Sequence, residues 1–236
     1  MIQGGRVQAS DLHHAEIPGP PDTLPRLLDA FAPLTTVPLC PELRAFTAHS
    51  LVGVWEAAEA AVGRVLPAPF WAYPWPAGIA LARVVLDAPD IVRGRSVLDF
   101  GAGGGVSSLA CALAGAARVV ANDVDPWAVA VASLAARRQA LEIETMQADL
   151  ARDPARAIGF DVVLCGDLGY DRSAALMERE ALVGALRGGA HILVADAGRT
   201  YFSDASARLL ATFEIPVPSD LEGGPLRTAV VYELLP

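Results

Sequence analysis

The stretch VLDFGAGGG, residues 97–105, is an apolar run that ends in four glycines over five positions and leads into VSSLACALAG, which carries helical periodicity. An apolar strand, a glycine turn and a helix in that order form the opening unit of a doubly wound α/β sheet. Glycine has no Cβ, so the backbone can turn tightly there and let a ligand approach amides at a helix N-terminus. A dinucleotide site spells G-x-G-x-x-G. Here Gly101, Gly103 and Gly105 spell G-x-G-x-G, and Val106 stands where the third glycine of the dinucleotide pattern would be.

Working outward, the next apolar segment, RVVANDVDP (118–126), places Asp123 about twenty residues past the glycines, where a carboxylate can accept hydrogen bonds from ribose hydroxyls. Asp125, just before Pro126, reads as a helix cap. Asp99 lies inside the strand before the turn and suits an ammonium better than a phosphate. Asp149, in MQADL, is placed to accept from an adenine amine or to stand as a loop carboxylate in water. Together these fit S-adenosylmethionine, a zwitterionic nucleoside with no pyrophosphate to seat on the helix. A turn in which the glycines only tighten the corner, and a nicotinamide-linked oxidoreductase or non-catalytic module, remain the competing readings.

The rest of the chain extends the alternation. Strands are expected at 96–100, 118–122, 143–148, 161–165, 191–195 and 226–234, short and apolar as in a parallel sheet buried on both faces. Helices are expected at 76–86, 106–114, 126–139, 174–186 and 203–211. The fold class is therefore α/β, a single doubly wound sheet with an N-terminal helical or irregular extension. The division expected is 1–69 for an arm and helices packing on the core, and 70–236 for the methyltransferase domain. Prolines at 18, 20, 21, 25, 33, 38 and 41 argue that the early arm is irregular. Apolar residues at near-helical spacing from Pro41 onward suggest one or two helices before Pro67.

Composition excludes several classes. The net charge of −9 opposes a phosphate backbone as partner, so no nucleic acid is expected. Hydrophobic content is 53%, but the apolar residues are scattered among Gly and Pro, and no run spans a bilayer, so no membrane partner is expected. The N-terminus has neither a secretory nor a transit profile, which leaves the cytoplasm as the expected compartment. Cys40, Cys111 and Cys165 lack the spacing of a disulfide framework or a zinc site, and the four histidines lack metal-ligand spacing, so no metal is expected. All 18 basic residues are Arg, consistent with a GC-rich genome or with a lysine-modifying enzyme that spares itself. A monomer is favoured, with the oligomeric state left open.

Three further segments carry a resemblance: PFWAYPWPAGIALARVVLD (69–87), VLCGDLGYD (163–171) and ADAGR (195–199). With the glycine turn and ANDVDP they resemble, in order and spacing over about residues 39–232, the electron transfer flavoprotein β-subunit lysine methyltransferases, a branch of the seven-strand protein methyltransferases. The resemblance implies that the sheet is the Rossmann-like seven-stranded one of class I methyltransferases. It implies methyl transfer from S-adenosylmethionine to lysines of the electron transfer flavoprotein β subunit, with a ribosomal stalk protein as a further acceptor. It also implies a D-x-x-Y motif, Asp167 to Tyr170, facing that acceptor. By the same likeness Trp75 flanks the cofactor, Asp167 touches both cofactor and amine, and Arg199 borders the substrate entrance, although a related branch reads GDPGR where this chain has ADAGR. Tyr170, with Trp71, would wall the acceptor site. A methyltransferase acting on another protein amine or amide, or on a small molecule, is the alternative; Asp167 without a following proline departs from the N-P-P-Y loop of glutamine-directed enzymes.

Overall fold

The structure, a computed structural model, describes residues 17–167, 172–198, 207–218 and 224–235. Among them, seven strands form one sheet: β3 (Ser96–Phe100), β4 (Arg118–Asp123), β5 (Glu144–Gln147), β6 (Val162–Gly166), β7 (His191–Asp196), β8 (Ala207–Pro216) and β9 (Leu226–Leu234). Their order across the sheet is β5-β4-β3-β6-β7-β9-β8. The strands from β3 to β7 run parallel to their neighbours, and β9 runs antiparallel between β7 and β8. The order reverses beside β3, and a crevice outside the carboxyl ends of β3, β4 and β6 is where such a sheet binds its ligand.

Helices cover both faces because each central strand is apolar on both sides. One core packs α3 (Pro76–Asp87), α4 (Val106–Leu113) and α5 (Pro126–Arg137) on residues such as Val97, Leu164 and Leu193. The other packs α6 (Arg172–Arg187) on Leu98, Val163, Cys165 and Ile192. Alternation along β6 sends Val163 and Cys165 to one core and Val162 and Leu164 to the other, as the two-residue period of a strand requires. All three cysteines are buried and free.

The chain before residue 70 packs on the α3–α5 side and differs from expectation in two places. Leu24–Phe31 is a helix (α1), not irregular arm: Pro25 falls in its first turn, where a missing amide costs nothing, and Leu24, Leu27 and Leu28 bury one face. Leu34–Val37 (β1) and Cys40–Phe46 (β2) form a two-stranded antiparallel hairpin, so Pro41 lies in a strand rather than at a helix start. The sheet ends at two strands, so a proline there can leave its missing donor on the open edge. The helix expected before Pro67 is Leu51–Val62 (α2), capped by Ser50, whose hydroxyl accepts from the Gly53 amide at 3.1 Å, and closed by left-handed Gly63.

The expected helix at 203–211 is also corrected: from Ala207 onward the chain is strand β8, paired along its length with β9, and 203–206 lie outside the described residues. Ala and Leu favour helix, yet beyond a register shift at 209–211 the half-buried or buried Ala211, Phe213 and Ile215 alternate with exposed Thr212 and Glu214, and pairing with β9 decides the outcome.

Candidate functional site

Each wall of the crevice is built by a local rule. Behind β3, Gly101, Gly103 and Gly105 all have positive φ (71°, 53° and 84°), so the turn needs glycine at each. A Cβ on Gly105 would stand 2.7 Å from the Cβ of Ala132 on α5, and one on Gly104 would stand 2.8 Å from the Trp71 carbonyl oxygen. A Cβ on Gly103 would meet open space. Gly104 and Gly105 therefore serve close packing, and Gly103 keeps the backbone bare toward the cavity. Gly104 carries a role that the G-x-G-x-G spacing did not reveal.

The acids come from the strand ends. Asp99 is 2% exposed and accepts from the Ser108 hydroxyl at 2.6 Å; burial raises its carboxyl to about 6 in spite of that bond. Asp123 closes β4, accepting the Gly103 amide at 2.9 Å and the Asp125 amide at 3.0 Å, and burial raises its carboxyl too. Asp125 caps α5, accepting the Trp127 amide at 2.8 Å, with its carboxyl raised to about 7 by burial first and the Asp123 charge as a further contribution. Asp167 follows β6 at φ 55°, a left-handed conformation rare for a residue with a side chain, with its amide donating to Ala195 at 3.2 Å. Backbone strain of this kind gathers at functional sites.

Aromatic side chains form the opposite wall. Trp71 is stacked on Trp127 at 5.6 Å and 14°, and the Trp127 indole donates to the Pro18 carbonyl at 2.8 Å. Trp75 caps α3, donates its indole N–H to the Phe70 carbonyl at 2.6 Å, and meets Tyr73 edge-on at 5.3 Å. These contacts hold rings rather than leaving them to choose rotamers on binding, at about 0.5–1.5 kcal/mol per aromatic pair.

The walls enclose a cavity of about 290 Å³. Of the residues expected at the site, Trp71, Trp75, Asp99, Gly101, Gly103, Asp123 and Asp167 line it. Gly105 stands one residue behind, under α5. Asp149 does not line it: its carboxylate accepts the amides of Ala151 and Arg152 at 3.1 and 3.2 Å and faces Arg152 at 3.3 Å, capping its own turn. Tyr170 and Arg199 lie outside the described residues. Sequence reading passed over Ile17, Val124, Ser107 and Glu178, which also line the cavity. Only Glu178 carried a legible signal, an acid on an otherwise apolar helix face.

Charge decides what such a cavity accepts. Among the described lining residues the ionisable groups are Asp99, Asp123, Asp125, Asp167 and Glu178, all acids, with no Arg. Among the described lining residues a pyrophosphate would find no cation, whereas a sulfonium and an ammonium would be drawn to the acids. No group of His, Cys, Asp and Glu among the described residues could hold a metal ion, and no helix among them is long and apolar enough to cross a membrane.

Comparison with known proteins agrees with this frame. The sequence profile of the ribosomal protein L11 methyltransferase (PrmA) family matches residues 83–169, the segment from α3 through the end of β6. The rat electron transfer flavoprotein beta subunit lysine methyltransferase is 34% identical over 174 residues, spanning 71% of this chain and 68% of its own length. The mouse protein of the same name is 33% identical over 186 residues with the same shares. Among solved structures, the precorrin 8W decarboxylase of Methanobacterium thermoautotrophicum superposes with a TM-score of 0.50 at 17% identity, covering 69% of this chain and 93% of that one. That likeness is one of fold.

Proposed function

The chain belongs to the electron transfer flavoprotein beta subunit lysine methyltransferase family, and on that premise we propose that it methylates lysine side chains of the flavoprotein's beta subunit with S-adenosylmethionine as donor. The observation that carries the reading is the set of acids, Asp99, Asp123 and Asp125 among them, that the described residues bring to a cavity opening on the bare backbone of Gly103. The residues fit the cofactor's chemistry: a cationic sulfonium and ammonium, and a ribose diol within reach of a strand-end carboxylate.

When bound, S-adenosylmethionine supplies a methyl group on a sulfonium centre. The chain's own part is to hold and align. Asp123 would accept the ribose hydroxyls, at roughly 1.5–3 kcal/mol for each charge-assisted bond. Asp99 would face the cationic end, and Trp75 would flank the cofactor. At the other end of the cavity Asp167 would accept a hydrogen bond from the acceptor amine and fix its approach, with Tyr170 and Arg199 as the proposed partners there. In-line displacement needs the nitrogen lined up behind the methyl, and alignment supplies much of the barrier reduction. A lysine is protonated at neutral pH, and freeing its lone pair costs roughly 4–5 kcal/mol. Aromatic walls that exclude water, with a sulfonium close by, disfavour the ammonium and lower that cost.

The direct test is to incubate the pure protein with methyl-labelled S-adenosylmethionine and the flavoprotein and to locate the label by peptide mass spectrometry. Label on beta-subunit lysines is expected. Label on a different side chain, or none on protein, would move the activity to another acceptor.

A further inference from the structure

α4 starts on Gly105 with no side-chain cap, so the amides of its first turn need acceptors from elsewhere. Asp99, on the strand that leads into the glycine turn, supplies one: its carboxylate accepts the Ser108 hydroxyl at 2.6 Å, and the Ser108 amide also favours its charged form. Both residues are buried, Ser108 at 0% and Asp99 at 2% exposed. Leu109, Ala110 and Cys111 beside Ser108 are buried as well, so packing alone would be met by an alanine at 108. A buried serine in a helix can return its hydroxyl to the carbonyl four residues back. Here the hydroxyl's one hydrogen bond among the described residues goes to Asp99.

Asp99 lines the cavity and Ser108 does not, so the hydroxyl holds the carboxylate from outside the cavity. An ionised carboxylate accepts at about four sites, and these bonds do not exhaust its capacity to accept from an ammonium. The described titratable groups that bear on Asp99 are Asp123, whose charge raises it, and Cys111 and Cys165, whose thiols its own charge raises; Asp125, Asp167 and Glu178 share the cavity lining. None of these is a cation. A buried carboxyl among acids and thiols takes up a proton more readily, and a neutral acid loses most of its pull on an ammonium. The Ser108 hydroxyl is the largest influence that opposes this.

We propose that Ser108 is a positioning residue for the cofactor: from outside the cavity its hydroxyl keeps the Asp99 carboxylate charged, so that the amino-acid end of S-adenosylmethionine meets an anion. The inference rests on the methyltransferase reading and deepens it, because it assigns part of the affinity for the cofactor to a side chain outside the cavity. Ser107, one residue earlier, lines the cavity and donates to the Gly78 carbonyl at 3.4 Å, so it does not substitute for Ser108.

Calorimetric titration of the whole protein with S-adenosylmethionine between about pH 6 and 8.5 tests this on wild type and Ser108→Ala, a change that favours the helix and removes one oxygen. Loss of a hydrogen bond to a charged group moves the Asp99 titration up by about one pH unit. Ser108→Ala should therefore raise the Kd about fivefold near pH 6, with the gap closing to within about twofold near pH 8.5, where the carboxyl is ionised either way. It should also release more protons than wild type on binding near pH 7, read from titrations in two buffers of different ionisation heat. A Kd equal to wild type near pH 6, a loss of the same size at every pH, or equal proton release near pH 7 overturns the inference and leaves the function standing. A wild-type protein that does not bind S-adenosylmethionine removes the reading and this inference together.

Discussion

The carboxylate of Asp123 accepts the backbone amide of Gly103 at 2.9 Å, so the acid that ends β4 braces the glycine turn that follows β3. Its second oxygen takes the Asp125 amide at 3.0 Å, which fixes the side chain from both sides. A carboxylate has about four lone-pair sites, so these two amides do not exhaust its capacity to accept from a ribose hydroxyl. Asp123→Ala should raise the Kd for S-adenosylmethionine by about 10- to 100-fold, the loss of one or two charge-assisted bonds. Isothermal calorimetry reads this directly, and an affinity within about threefold of wild type would contradict it.

Two neighbouring glycines should respond differently to the same change. Gly105→Ala puts a methyl 2.7 Å from the Ala132 Cβ at a φ of 84°, and should cost about 2–4 kcal/mol in stability. At roughly 2–4 °C per kcal/mol for a chain of this size, the thermal midpoint drops by about 4–16 °C. Gly103→Ala meets no atom and carries only the left-handed penalty, about 1–2 kcal/mol, while its methyl projects where the ligand must come. It should lose more cofactor affinity than stability; thermal melts with and without S-adenosylmethionine separate the two.

The buried carboxyls make stability depend on pH with a definite sign. Asp99 at about 6 and Asp125 at about 7 both lie above the unfolded value of about 3.9. Between about pH 4 and 7 the folded chain therefore holds protons that the unfolded chain has released, and the contribution of these groups falls as pH rises through that window. The thermal midpoint of the cofactor-free protein should fall from about pH 5.5 to about pH 8. Asp125→Asn should flatten that slope while keeping the α5 cap, since asparagine caps as well as aspartate. A slope identical to wild type would contradict the assignment.

The same groups couple protons to the cofactor. Their charged forms attract a cation, so S-adenosylmethionine should bind more weakly near pH 5.5 than near pH 8 and release protons near pH 6.5. Calorimetry in two buffers of different ionisation heat measures the protons released; none released would sink this coupling.

Trp127 ties the chain near Ile17 to the cavity wall. Trp127→Phe keeps a ring against Trp71 but loses the bond to Pro18, at a cost of about 1 kcal/mol. Trp127→Leu loses the stacking as well and should cost about 2–4 kcal/mol. Because Trp71 lines the cavity, the leucine variant should also weaken cofactor binding, and fluorescence-monitored denaturation alongside calorimetry checks both.

The parallel half of the sheet was legible because local pattern and tertiary demand coincide there. An apolar strand buried on both faces, a glycine turn and a proline-led helix each carry their own signal, and strand β3 and helix α5 begin where the sequence places them. The chain before residue 70 was less legible because proline is ambiguous: Pro25 opens a helix although it read as a breaker, and Pro41 sits in a strand of a hairpin although it read as a helix start. In β8 helix-forming residues concealed a two-residue alternation that only its partner strand makes decisive. At the site, strand-end acids could be located from spacing. The packing role of Gly104 could not, since it depends on a carbonyl of Trp71 from a distant segment. Asp149 shows the limit of placement by strand end, because its own turn offers amides that take the carboxylate.

The central claim is that the crevice at the ends of β3, β4 and β6 holds a sulfonium nucleoside with its reactive end toward Asp167. A crystal structure with S-adenosylhomocysteine measures this most directly. The account predicts ribose hydroxyls within hydrogen-bonding distance of Asp123 and the sulfur turned toward the β6 end. A ligand lying elsewhere on the molecule, or ribose density remote from Asp123, would contradict it.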